Sequence, residues 1–186
     1  MSDSDLDPGF APQDLSDGRE KGNWKSRYLD KEAINAIRYE AIYSAALLFL
    51  CPILLLLIWL KSYDIGGVLS DVQCNAVCRY AYGWVGGLFG GTLFVLKWLY
   101  HSVAHGSWNK DRRLWRLLAP HLSGALAFVF ICMIDSQIFL IFDSQSIKSP
   151  PVVVSVSFLV GYFSDTTLAK MSEIAVSLFG AKGASS

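Results

Sequence analysis

Charge is scarce in this chain, and what there is cancels: 17% of the 186 residues are charged, with 16 Lys and Arg against 16 Asp and Glu. Soluble domains average about 25% charged residues. A chain with no basic excess also lacks the field that draws proteins to nucleic acid, so no nucleic-acid partner is expected. The motifs that carry common chemistries are missing as well. There is no Gly-Lys-Ser/Thr phosphate loop, no Gly-x-Ser-x-Gly elbow, no His-Glu-x-x-His and no Cys-x-x-Cys. With no paired acid and base discernible in one cleft, the chain reads as no enzyme, without cofactor or metal. Residues 1–20 contain no apolar stretch of a cleavable signal. They carry Asp3, Asp5, Asp7, Asp14, Asp17 and Glu20 instead, the composition of a disordered segment. No period of about 20 to 50 residues marks a repeat array.

What is abundant is apolar sequence, at 53% of the chain. A bilayer core takes about 20 such residues in a helix. Four segments qualify or nearly so: residues 41–60, 80–100, 117–142 and 151–171. The first holds no charge, and the second holds only Lys97, near enough to its end to snorkel. The third contains Asp135 and Gln137. The fourth is apolar only over residues 152–163 and reaches spanning length by including Ser164, Asp165, Thr166 and Thr167, so a re-entrant loop is its alternative. The expected fold is all-α: a polytopic membrane bundle of four transmembrane helices with flanking amphipathic helices over residues 30–40 and 166–179. Residues 1–29 form an acidic tail, residues 30–171 the membrane domain, and residues 172–186 the end of the last helix and a tail.

Orientation follows from short basic flanks. Lys25, Arg27, Lys31 and Arg38 precede the first segment, and Lys110, Arg112, Arg113 and Arg116 follow the second. Both flanks read as cytoplasmic, placing both termini inside a cell membrane, the inner membrane in a bacterium. Trp59 and Tyr63 at one edge, and Trp98, Tyr100, Trp108 and Trp115 at the other, fit interfacial aromatic belts.

Three groups of residues stand out. Gly83, Gly87 and Gly91 recur every four residues, with Gly86 and Gly90 in a second row beside them. Such glycines let helix backbones approach closely, the main source of association in lipid. The ridge is expected either to pack within the chain or to be the interface of a homo-oligomer. His121, Gly124, Phe128, Cys132 and Asp135 share one face of the third segment. A polar membrane face of His121, Asp135 and Gln137 is expected to be buried, or to line a water path, because a carboxylate in a span is costly. Cys74 and Cys78 lie in the expected external loop and are placed for a possible disulfide.

These features suggest a homo-oligomeric pore or channel in the lipid bilayer, with a membrane anchor that recruits a cytoplasmic protein partner as the rival. Reporter fusions at Ser70 and Ser186 test the orientation: the Ser70 fusion is expected outside and the Ser186 fusion inside. An external signal at Ser186 would mean that the fourth segment does not return the chain.

Overall fold

The computed structural model describes residues 26–62, 71–136 and 149–180. Among them the chain is all-helical: α1 (Lys31–Ser62), α2 (Asp71–Ala104), α3 (Arg113–Asp135), α4 (Pro150–Tyr162) and α5 (Ser164–Phe179), with a single 3-10 turn at Lys110–Arg112.

The surface helix expected over residues 30–40 and the apolar segment that follows it are one continuous helix. Residues Ala36, Glu40, Ser44, Leu47 and Cys51 are buried in a line through the junction, at the spacing of one helix face. The opposite face exposes Ile42, Phe49, Ile53, Leu56 and Leu60. α2 begins at Asp71, well before the expected residue 80, because the polar residues ahead of Tyr80 continue the helix. Cys74, Cys78 and Arg79 therefore belong to a helix and not to a loop. The side chain of Cys74 lies outside the described residues, and so does a pairing with Cys78.

α2 is the central element. It packs against α3 and α4 most extensively and against α1 next, while α1 and α3 touch only along a narrow seam. Gly106, with φ of 73°, ends the helical run by turning the chain toward α3.

By length and composition, two helical stretches can cross a membrane, Lys31–Leu60 and Lys110–Asp135, and a third exists if α4 and α5 count as one broken span. Four spans were expected. α2 falls short of the same apolar standard because its glycines contribute backbone and no side chain. Surrounded by three helices, it needs little lipid-facing surface.

The fourth segment is not one straight helix. α4 has 13 residues, about 20 Å at about 1.5 Å per residue, and the chain then bends by 95° into α5. Neither Ser164 nor Asp165 caps α5. Phe163 occupies the cap position with no side-chain hydrogen bond, and its carbonyl accepts from Thr167 N–H at 2.9 Å while its own N–H donates to Leu159 O at 2.9 Å. Backbone pairing thus runs through the bend, and the polar Ser164-Asp165-Thr166-Thr167 stretch starts a new direction. Gly180 closes α5 in the left-handed conformation, as its sequence position predicts.

The glycine ridge is filled from within the chain. A Cβ at Gly87 would fall 2.3 Å from Ala127 Cβ, and one at Gly91 2.5 Å from Ser123 Cβ, both on α3. On the second row, a Cβ at Gly90 would meet Phe158 O of α4 at 2.1 Å, and one at Gly86 would meet Val154 O at 3.0 Å. α4 returns the contact, since a Cβ at Gly161 would sit 2.1 Å from Gly87 O. The two rows face two different helices, which accounts for the doubled pattern. Of the two expectations for Gly83, Gly86, Gly87, Gly90 and Gly91, these contacts follow packing within the chain: the positions are faced by α3 and α4.

Close approach is graded along the ridge, and so should be the effect of adding a methyl group. Gly90→Ala and Gly161→Ala push against backbone and are expected to destabilise by about 1–3 kcal/mol or more. Gly83→Ala meets side chains alone, Ile131 Cγ1 at 3.2 Å and Ile131 Cβ and Ser157 Oγ at 3.7 Å, and is expected to cost much less. Thermal unfolding of the purified protein in detergent reads the difference; equal effects at the three positions would contradict this packing.

Candidate functional site

Polar side chains gather at the two ends of the bundle. At the end formed by the α2–α3 connection, here the basic end, Glu40 of α1 meets Arg116 of α3. Arg116 Nε donates to Glu40 Oε2 at 2.7 Å, and a terminal guanidinium nitrogen donates to Oε1 at 3.1 Å. The two side chains are 3% and 2% exposed, so the pair is fully desolvated. Buried charges of this kind persist only when their remaining hydrogen-bonding capacity is used. Here it is: the Trp108 indole donates to Glu40 Oε2 at 3.2 Å, Arg116 also donates to Asn109 O at 3.0 Å, and its guanidinium lies 5.5 Å from the Trp108 ring centroid. Asn109 in turn accepts from Asp111 N–H and starts the 3-10 turn that leads into α3.

The stretch ahead of α1 is fastened to the same place. Arg27 donates to His105 O at 3.0 Å and packs over Gly106, where the missing side chain leaves room. The Tyr28 hydroxyl donates to Ser102 O at 3.4 Å and accepts from Trp108 N–H at 3.2 Å, with the two rings edge to face. Below this level, Tyr43 of α1 reaches α3: its hydroxyl lies 2.7 Å from His121 Nε2 and 3.3 Å from Leu117 O.

At the far end Arg79 of α2 and Asp135 of α3 form an ion pair at 2.7 Å, with side chains 23% and 18% exposed. The contact is off the hydrogen-bonding axis, leaving Arg79 Nε and Asp135 Oδ2 without an aligned hydrogen bond. The Arg79 guanidinium also lies over the Tyr80 ring at 5.6 Å. From Arg116 to Asp135 the rise along α3 is about 28 Å at about 1.5 Å per residue, close to the thickness of a bilayer core. The two ion pairs therefore bracket the apolar length of the bundle. Between them the Thr92 hydroxyl is turned onto its own helix, with Oγ1 donating to Leu88 O at 2.7 Å, while the Ser157 hydroxyl is buried without a partner.

The expected polar face divides. Asp135 is largely buried and paired. His121 is exposed at the α1–α3 seam and not on a buried face, because the buried line of α3 runs through Arg116, Pro120, Ser123, Gly124 and Ala127. Gln137 lies outside the described residues. The Glu40–Arg116 pair escaped the sequence reading. Its one signal was an acidic residue on the buried line of an amphipathic stretch, four positions after Ala36.

Two cavities open on the side of the bundle. One, of about 740 Å³, lies between Leu55 and Trp59 of α1, Tyr82 of α2 and Val154 of α4. The other, of about 210 Å³, lies under α5 between Trp115, Leu122, Leu126 and Leu168. Both are lined almost entirely by apolar groups and bring together no acid, base and nucleophile. Among the described residues no three His, Cys, Asp or Glu side chains gather as metal ligands. Comparison with known proteins gives no match: no family model fits the chain, and neither a curated protein nor a solved structure is significantly similar to it.

Removing one member of the basic-end pair leaves a buried charge uncompensated. Arg116→Leu is expected to cost about 3–5 kcal/mol, and Glu40→Met combined with Arg116→Leu to recover much of that loss. Thermal unfolding of the two variants in detergent reads the difference. A double variant as damaged as the single one would show that the cluster acts through packing and not through charge pairing.

Proposed function

We propose that this protein is a multi-pass membrane protein that anchors a rigid cytoplasmic docking face, and that it recruits a soluble protein partner there. In this reading α1, α2 and α3 cross the bilayer and α4 descends from the external side. α5 lies along the cytoplasmic interface, with Leu168 and Met171 toward α3 and Lys170 and Glu173 outward. Both termini are cytoplasmic, and the membrane is the cell membrane. The observation that carries the reading is the buried Glu40–Arg116–Trp108 cluster, which ties α1, the α2–α3 connection and α3 into one unit. A docking surface has to be held in one shape, and a desolvated, fully bonded ion pair does that.

The features that pointed to a pore support it less once their partners are known. The glycines are taken up by α3 and α4, and Asp135 is matched by Arg79. If copies associate, the exposed apolar face of α1, with Phe49, Leu56 and Leu57, offers one surface for it.

Photo-crosslinking amino acids at Lys110 and Ser172 in cells, compared with one at Phe49, test the docking face. A discrete protein adduct is expected at the first two positions, absent at the third and lost with Glu40→Ala. Purified protein in liposomes is expected to pass ions no faster than protein-free liposomes. A flux above that level, altered by Asp135→Asn, would overturn the docking reading in favour of conduction.

A further inference from the structure

The 95° bend between α4 and α5 sets the first turn of α5 beside a cavity of about 210 Å³ on α3. Phe94 of α2 lines it, with Trp115, Leu122 and Leu126 of α3 and Asp165 and Leu168 of α5. Three helices thus contribute to one site. Further along α5, Met171 packs on the cluster formed by Leu126, Ala127 and Val160, which holds the helix against α3.

Asp165 is the one charged residue on the lining of this cavity. It has no ion pair among the described residues: Lys170, the cation further along α5, is taken by Glu173 at 2.9 Å. Nor is its carboxylate used to cap the helix, since Phe163 holds the cap position without a side-chain hydrogen bond. Two aromatic rings line the same space. Phe94 and Trp115 stand edge to face with centroids 6.4 Å apart, and Trp115 is 46% exposed, so its ring is accessible. The cavity therefore combines a carboxylate without a counter-ion, two aromatic rings and an aliphatic surface.

We propose that this cavity binds a small organic cation with an apolar body, an amine or quaternary ammonium, its charge beside Asp165 and its hydrocarbon against Trp115, Leu122 and Leu126. A carboxylate attracts such a charge, and the negative face of an aromatic ring attracts the same one. Both features call for one sign. A neutral apolar molecule gains nothing from Asp165, and an anion is repelled by it. A metal ion would find a single carboxylate on the lining, where hard divalent cations take several oxygen ligands. The cavity is also smaller than the range of about 300–1,000 Å³ usual for drug-sized ligands, so the ligand is small. A zwitterionic lipid headgroup would bring its own phosphate close to Asp165, and the charge balance therefore favours a free cation over a lipid. The site is built by α2, α3 and α5 alone, and it does not depend on the docking reading.

The test is a ligand-observed NMR titration of the purified full-length protein in a neutral maltoside detergent, with phenyltrimethylammonium as the probe and benzoate as its anionic counterpart. Phenyltrimethylammonium is expected to bind saturably and benzoate not to bind. Asp165→Asn is expected to weaken the cation about tenfold or more, with a thermal unfolding curve like that of the parent protein, and Asp165→Glu to keep most of the affinity. Trp115→Leu is expected to weaken it about threefold or more. Glu32→Gln, at an exposed carboxylate on α1 that does not line the cavity, is expected to leave binding unchanged. Absence of saturable binding, equal binding of benzoate, or an unaltered affinity in Asp165→Asn would each overturn the proposal. Phosphatidylcholine added to the micelles is expected not to displace the probe; displacement would overturn the assignment to a free cation.

Discussion

Three helices have to touch α2 at once, and they can do so because α2 gives them backbone to touch. At Gly87 and Gly91 it receives α3, and at Gly86 and Gly90 it receives α4, with Gly161 of α4 answering Gly87 across the contact. In lipid there is little apolar driving force between helices, so association depends on dispersion contacts at short range and on satisfied polar groups. Side chains on both sides would hold the axes apart and weaken those contacts. The glycines remove that separation on two faces, and the third face of α2 uses ordinary side chains, Val85 and Leu88 against Cys51 and Leu54 of α1. The difference in extent between the α2–α3 and α2–α4 contacts and the others follows from this.

The central layer is tightly packed around the glycines, and the ion pairs lie at its ends. Each end solves the same problem with different completeness. At the basic end the charges are nearly inaccessible and are bonded to Trp108 and Asn109, with Tyr28 tying in the segment that precedes α1, while the nearby Ser102 hydroxyl is buried without a partner. At the far end Arg79 and Asp135 keep partial access to solvent and accept a misaligned contact. An unmatched buried charge is far costlier than an exposed one, and of the two ion pairs the more deeply buried one is the one with aligned hydrogen bonds.

Much of this order was legible in the sequence. The helical class, the apolar segments, the small-residue ridge and the left-handed Gly180 all rest on local rules of length, periodicity and conformation. Partners across helices were not legible. Whether Gly87 faces Ala127 or another copy depends on how far α3 and α4 are rotated about their own axes, and a single helix pattern is silent about that. Arg79 lies just outside the apolar window, which begins at Tyr80, yet the helix continues past the window and includes it. The fourth segment misled in the opposite sense. Its composition permits a helix throughout, while the bend at Phe163 comes from packing: Val160 and Gly161 are held against α3 and α2, and Leu168 and Met171 find a second apolar surface on α3 only by turning.

That turn connects the packing to the proposed role. A straight continuation of α4 would carry Asp165, Lys170 and Glu173 down alongside α2, where the central layer has no place for them. Bending by 95° instead keeps the apolar stripe of α5 on the bundle and leaves its charges, including the Lys170–Glu173 pair at 2.9 Å, in the open. A helix placed this way adds an amphipathic surface beside α3 without adding a charge to the core. On the other side of α3 the seam with α1 holds Arg113 over the Tyr39 ring and the Tyr43 hydroxyl against His121. α3 is therefore flanked by two different surfaces, one a seam of paired polar and aromatic side chains and one carrying mixed charges on a helix. Both depend on Arg116 holding α3 in register with α1.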